Sequence, residues 1–110
     1  MIFDKEGNTT IVFQESISLP KFLSNLTSAY PRLKNDHLII NLFSFGALTT
    51  SDLLGFLKLS DEHRSRGKSF VLVSDKISYD QVPDELSLAP SLQEAGDIIE
   101  MEEIERDLDL

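Results

Sequence analysis

The run Thr49-Thr50-Ser51-Asp52 brings three hydroxyl groups and a carboxylate together. Thr49 and Asp52 have the spacing of a capping box. In this arrangement the Thr49 hydroxyl accepts from the Asp52 amide and the Asp52 carboxylate accepts from the Thr49 amide. The run therefore predicts that a helix begins here, with Thr50 and Ser51 in its first turn.

Residues that commonly catalyse reactions are few and scattered. The chain has two histidines and no cysteine, which excludes a thiolate nucleophile, a disulfide framework and a cysteine zinc site. His63 lies near the end of a predicted helix, where histidine is more often a favourable cation than a ligand, and Asp61-Glu62-His63 is interpreted as a solvated face. Nothing in the sequence brings His37 and His63 together. We predict no catalytic residue, no metal ligand and no cofactor.

Other ligand motifs are also missing from the sequence. Asp75, Asp80 and Asp84 lack the spacing and closing glutamate of a calcium loop, so turn chemistry explains them better. The chain contains no glycine-rich phosphate loop, no Gly-x-Ser-x-Gly elbow and no His-x-x-x-His pair. An enzyme is therefore not expected.

Net charge limits the class of partner. The formal charge of −9 is concentrated in residues 91–110, which hold eight acidic residues and only one basic residue, Arg106. Nucleic acids and anionic membrane surfaces need a basic protein surface, so neither is an expected partner. The short apolar runs and the early Asp4, Lys5 and Glu6 predict a cytoplasmic protein without a signal peptide or membrane span.

Apolar periodicity predicts alternating strands and helices in one domain, residues 1–110. The strands are predicted at 2–5, 9–13, 37–42, 68–73 and 86–89. The helices are predicted from Ser18 to Pro31, from Thr49 to Gly67, and over about 91–106, with 107–110 as a frayed end. The last helix is expected to dock one apolar stripe on the sheet, namely Leu92, Ala95, Ile98, Ile99, Met101 and Ile104.

The two continuously apolar strands, 37–42 and 68–73, indicate the fold class. A helix joins them, so they should be parallel and connected by a right-handed crossover. We predict an α/β fold: a mixed sheet of about four to five strands with an N-terminal hairpin, a parallel βαβ core and about three to four helices.

The central part of the sequence resembles the STAS (sulfate transporter and anti-sigma factor antagonist) family. In anti-sigma factor antagonists, an apolar strand leads through a loop to an Asp-Ser-Ser-Gly-Leu motif that opens a helix ending in glycine. Here Leu38-Ile39-Ile40-Asn41-Leu42 leads to Thr49-Thr50-Ser51-Asp52-Leu53, and the helix ends at Gly67 before the next strand. The resemblance implies a STAS-like sheet and a small bacterial regulatory protein.

The same resemblance implies a site. It places a phosphoacceptor hydroxyl at Thr50, with Ser51 beside it, and a partner surface over the preceding loop and the helix start. Thr49 stands where the family has aspartate, and Asp52 stands where it has glycine. The implied partner-binding residues are Ser44, Phe45, Thr49, Thr50, Asp52 and Leu53. A kinase-like anti-sigma factor would be the partner.

The acidic C-terminal segment supports an alternative function. Its acidic side chains either form a solvated face or a docking strip that speeds association with a basic-surfaced enzyme. The strip would consist of Glu100, Glu102, Glu103, Glu105 and Asp107. The protein would then be a non-switching accessory subunit, and the sequence does not specify its partner or oligomeric state.

The C-terminal run Ile-Ile-Glu-Met-Glu-Glu-Ile-Glu-Arg-Asp-Leu also resembles short stand-alone chains that carry the label ribonuclease Z. That nuclease resembles other metallo-β-lactamase-fold enzymes in using several histidines and aspartates around two zinc ions. A chain with two histidines lacks the ligands for such a centre.

Overall fold

The computed structural model describes residues 1–108 and contains one five-stranded sheet. The strands, in chain order, are β1 (Ile2–Glu6), β2 (Thr9–Phe13), β3 (His37–Asn41), β4 (Phe70–Val73) and β5 (Ser87–Ala89). The helices are α1 (Leu19–Leu33), α2 (Thr50–Leu54), α3 (Leu57–Ser65) and α4 (Leu92–Leu108), with a 3₁₀ turn at Tyr79–Gln81. The strands lie in the order β1-β2-β3-β4-β5, and only the β1–β2 pair is antiparallel. This architecture confirms the predicted mixed sheet and parallel βαβ core.

The hairpin of β1 and β2 turns at Gly7, which has a φ of +60°. A side chain is strained at this backbone angle, so glycine is favoured. Every residue of β1 is exposed, because β1 pairs with β2 on one side only. The hairpin is therefore an edge of the domain.

Alternation along the strands divides the core between the two faces of the sheet. Leu38 and Ile40 pack with α1, α2 and α3, whereas Ile39 packs with α4. Successive side chains of a strand point to opposite faces, so a continuously apolar strand is one that is covered on both sides. Three helices thus cover one face, and α4 alone covers the other.

Two helix boundaries differ from the prediction. Pro31 does not end α1, which continues to Leu33 because Tyr30 and Leu33 are buried and hold the last turn in place. The helix predicted from Thr49 to Gly67 is two helices, since the chain breaks after Leu54. At Gly55, an added Cβ would lie 2.7 Å from Leu23 Cδ2, so the missing side chain lets α1 approach the break.

The C-terminal helix also differs from the prediction. Ala95 and Ile99 are buried against the sheet, but Met101 is 63% exposed and Ile104 is 55% exposed. The expected single stripe is wrong because its members lie on different sides of α4. The helix continues through Asp107 and Leu108, and residues 109–110 of the predicted frayed end lie outside the described residues.

Candidate interaction site

The segment between β3 and α3 lies at the carboxyl end of the parallel strands, where ligands of open α/β sheets commonly bind. Two side chains fix this segment to neighbouring parts of the same edge. Ser44 Oγ donates to Gln14 O at 2.6 Å, just after β2, and Thr50 Oγ1 donates to Gln81 O at 2.5 Å, in the 3₁₀ turn. The segment is therefore held in one position relative to the sheet.

The beginning of α2 has the predicted capping box. Thr49 N donates to Asp52 Oδ2 at 2.9 Å, and Asp52 N donates to Thr49 Oγ1 at 3.1 Å. Both residues are exposed, so their outer surfaces remain accessible while their hydrogen bonds fix the turn. Such a cap typically contributes about 1 kcal/mol to stability.

The two candidate phosphoacceptors have different environments. Thr50 and Ser51 are both exposed, but the Thr50 hydroxyl is bonded to Gln81 O. Among the described residues, Ser51 Oγ has no hydrogen-bond partner in the protein. A phosphate on the Thr50 hydroxyl would break the hydrogen bond to Gln81 O, whereas a phosphate on the Ser51 hydroxyl would break no hydrogen bond within the described residues.

Apolar residues of the segment separate into core and surface. Leu53 is fully buried, so it cannot contact a partner, contrary to the prediction. Phe45 is partly buried, and its ring packs against that of Phe22 in a tilted arrangement, with 5.4 Å between the ring centroids. The exposed apolar side chains are Phe43 (39%) and Leu54 (47%), which the sequence prediction missed. Leu54 directly follows the buried Leu53 in α2, and adjacent helical side chains point in directions about 100° apart, so the packing of Leu53 leaves Leu54 facing solvent.

Comparison with solved structures identifies the architecture. The chain is similar to a serine-to-glutamate variant of RsbS from Moorella thermoacetica, with a TM-score of 0.64 and 16% identity. The match covers 90% of this chain and 93% of RsbS. The chain has the STAS fold. No protein-family model matches the sequence, and no curated protein matches it.

His63 lies in the interior of the protein, not on a solvated face. Its side chain is fully buried; Nε2 lies 2.7 Å from Asp36 O and Nδ1 lies 2.8 Å from Tyr30 Oη. A carbonyl oxygen only accepts, so Nε2 carries the hydrogen and Nδ1 accepts from the Tyr30 hydroxyl. Burial lowers the pKa of His63 to about 4. The expectation of a helix-terminal cation is therefore wrong, because His63 is neutral.

His37 is also buried and neutral. Ser69 N donates to His37 Nδ1 at 2.9 Å, which leaves Nε2 to donate to Glu103 Oε1 at 3.0 Å. Burial lowers the pKa of His37, and the Glu103 carboxylate partly offsets this effect. Both histidines lie at the amino end of β3, but on opposite faces of the sheet and each with its own partners. They form no catalytic pair.

Two of the five acidic residues in the predicted docking strip pair with other side chains of the same chain. Glu102 Oε2 lies 3.2 Å from Arg64 Nη2, and Glu102 Oε1 lies 3.8 Å from Arg106 Nη2. Glu103 pairs with His37 as described above. The remaining acids of the strip are exposed: Glu100, Glu105 and Asp107.

Replacing Glu102 with glutamine should lower the free energy of unfolding by about 1–2 kcal/mol, because two partly buried guanidinium groups would lose their counter-ion. The matched change Glu105→Gln removes an exposed carboxylate from the same helix and should cost less than about 0.5 kcal/mol. Urea denaturation of the two variants measures the difference. Equal stability would show that the Arg64–Glu102–Arg106 group contributes nothing.

Two further results concern the described residues, 1–108. No group of three or more histidine, aspartate or glutamate side chains in this range could hold a metal ion. No helix in the same range has the length and hydrophobicity that a membrane span requires.

Proposed function

We propose that this chain is a regulatory protein-binding module whose partner surface is the exposed beginning of α2 and the loop before it. The observation that carries the proposal is the exposure of Phe43 and Leu54 beside a turn fixed by the Thr49–Asp52 bonds. Apolar side chains on a rigid element bind with little loss of conformational entropy. The module acts in the bacterial cytoplasm as a single domain and catalyses no reaction.

The STAS fold supports a kinase-like anti-sigma factor as the class of partner. The contact residues would be those of the segment that reach solvent, and together they are called the α2 surface: Phe43, Ser44, Thr49, Thr50, Asp52 and Leu54. Phe45 and Leu53 would act indirectly, since they anchor the segment to the core. A partner of this class could also supply the phosphate that regulates binding.

Phosphorylation of Thr50 would change both the shape and the charge of this surface. The phosphate would replace the hydroxyl hydrogen that Gln81 O accepts, so the tie between α2 and the 3₁₀ turn would be lost. It would also bring about two negative charges close to the Asp52 carboxylate. Modification of Thr50 would therefore release the partner, whereas modification of Ser51 would leave the tie to Gln81 intact.

Affinity capture from a lysate of the source organism tests the proposal. The wild-type chain should recover a kinase-like anti-sigma factor, identified by mass spectrometry. Leu54→Ser should reduce this recovery about tenfold, as expected when a central apolar anchor is removed. Thr50→Glu should reduce it as well, because the carboxylate cannot donate to Gln81 O.

The matched control is Leu92→Ser, which removes a leucine that is 37% exposed on α4, away from the α2 surface. Its recovery of the partner should equal that of the wild type, and circular dichroism should show that all variants are folded. The proposal fails if Leu54→Ser and Thr50→Glu bind as well as Leu92→Ser does.

A further inference from the structure

The outward face of α4 carries an apolar stripe that no other residue within the described range, 1–108, covers. Met101, Ile104 and Leu108 are 63%, 55% and 80% exposed. An α-helix has about 3.6 residues per turn, so this spacing of three and then four places the three side chains in one line. The same geometry puts them opposite Ala95 and Ile99, which are buried against the sheet.

The spacing of the stripe is that of a coiled-coil seam. With Met101 at position a, Ile104 falls at d and Leu108 at the next a. A seam of this kind packs against the apolar line of a second helix, and its flanking e and g positions select the partner by charge. The back of α4 is already occupied by the sheet, which leaves the seam as its free side.

Every flanking position of this seam is acidic. Glu105 occupies position e, and Glu100 and Asp107 occupy the two g positions. None of these three carboxylates takes part in a salt bridge within residues 1–108. The only base of α4, Arg106, is turned away from the seam and donates to Ser69 Oγ at 2.9 Å.

We infer that the outward face of α4 docks an amphipathic helix of another protein, with apolar residues in its seam and lysine or arginine at its flanking positions. Basic flanks would pair with Glu100, Glu105 and Asp107, and apolar residues would cover Met101 and Ile104. This second surface is separate from the α2 surface and does not depend on the function proposed for it.

Charge disfavours a second copy of the chain as the occupant. Two α4 helices packed through this seam, in either orientation, would bring only acidic flanking residues together. Like charges at flanking positions oppose pairing, and the chain already carries a net charge of −9. The structure therefore favours a basic partner over self-association.

Titration of the full-length, isotope-labelled chain with a synthetic helical peptide tests this inference. The peptide carries leucine at its seam positions and lysine at its flanking positions, and NMR shifts report where it binds. Shift changes should centre on Met101 and Ile104. Replacing the lysines of the peptide with glutamate should abolish binding, and raising the salt concentration from about 0.05 M to 0.5 M should weaken it severalfold.

Variants of the chain separate the apolar and electrostatic contributions. The double change Met101→Gln and Ile104→Gln should weaken binding of the lysine peptide about tenfold or more, without loss of stability because both side chains are exposed. Changing Glu100, Glu105 and Asp107 to lysine should reverse the preference, so that the glutamate peptide binds instead. Leu54→Gln, at the α2 surface, should leave binding unchanged.

Four outcomes would overturn the inference. These are no detectable binding of the lysine peptide, equal binding by the double glutamine variant, and shift changes centred on a different surface, the depression that Ile11, Ile39 and Leu92 line between the β1–β2 hairpin and the start of α4. The fourth is self-association of the free chain in sedimentation experiments that is lost in the glutamine variant. None of these results bears on the α2 surface, whose test uses Leu54→Ser and Thr50→Glu.

Discussion

Replacing His63 with phenylalanine should lower the free energy of unfolding by about 2–4 kcal/mol at pH 7. Phenylalanine keeps a planar aromatic ring, although a somewhat larger one, between the Tyr30 and Phe70 rings, whose centroids lie 5.5 Å and 6.2 Å from that of His63. It cannot accept from the Tyr30 hydroxyl or donate to Asp36 O, so both groups would be left without a partner in the interior. Leaving buried polar groups unsatisfied is costly, which accounts for the expected loss.

The difference in free energy of unfolding between the wild type and His63→Phe should be smaller at acidic pH. The folded state holds the pKa of His63 at about 4, against 6.5 for an ordinary histidine. Between these values the unfolded chain binds a proton that the folded chain excludes, so the stability of the wild type falls as the pH falls from 6.5 to 4. The fall amounts to about 3 kcal/mol. The variant has no titratable group at this position, so its free energy of unfolding should not show this fall.

Urea denaturation of the wild type and His63→Phe at a series of pH values from 7 to 4 measures this effect. All other ionisable groups are common to both chains, so the difference between the curves reports mainly on His63, with a smaller contribution from its electrostatic coupling to His37. Tyr30→Phe serves as the control, because it loses the hydroxyl but keeps the buried imidazole and should keep the pH dependence. Parallel curves for the wild type and His63→Phe would contradict the assignment of a neutral, buried His63.

Phe56→Ala should lower the free energy of unfolding by about 3–5 kcal/mol, the range for removing a buried phenylalanine. Phe56 is fully buried at the break between α2 and α3, with its ring centroid 6.4 Å from that of Phe22. The α2 surface depends on this anchor, since a cavity here would free α2 to move. Amide hydrogen exchange in α2 should therefore accelerate more than exchange in β1.

The matched control for this prediction is Phe43→Ala, the same substitution at a side chain that is 39% exposed in the same segment. Its cost should stay below about 1 kcal/mol, because little of the ring leaves a packed environment. Partner recovery should nevertheless fall in Phe43→Ala if the α2 surface is the binding site. Equal destabilisation by the two alanine variants would show that Phe56 is not the anchor of α2.

Local patterns in the sequence predicted most of the fold. The hairpin at Gly7, the capping box of Thr49 and Asp52, and the helix end at Gly67, which has a φ of +79°, are all present. Each depends on residues no more than about four positions apart, so composition and spacing are sufficient. The buried strands β3 and β4 were equally clear, because a continuous apolar run must be covered on both faces.

Errors in the prediction arose where a helix boundary depends on packing. The length of α1 past Pro31 depends on the buried side chains of its last turn, and the break after Leu54 lies at Gly55, where Leu23 of α1 approaches closely. The contacts of the last turn of α1 have no local sequence signal, because their partners come from other elements, whereas Gly55 is itself a weak local signal, since glycine disfavours a helix. Helix propensity is a weak guide in such cases.

The sequence by itself determined the order of strands and helices, the cap of α2 and the acidic character of α4. Only the tertiary structure decided which polar groups are buried and which apolar side chains are exposed. His63 and Asp36 are 27 positions apart, and Arg64 and Glu102 are 38 apart, so no local pattern reveals that they meet. The outward position of Met101 and Ile104 was decided in the same way, because a sheet covers one side of a helix and the fold selects which side.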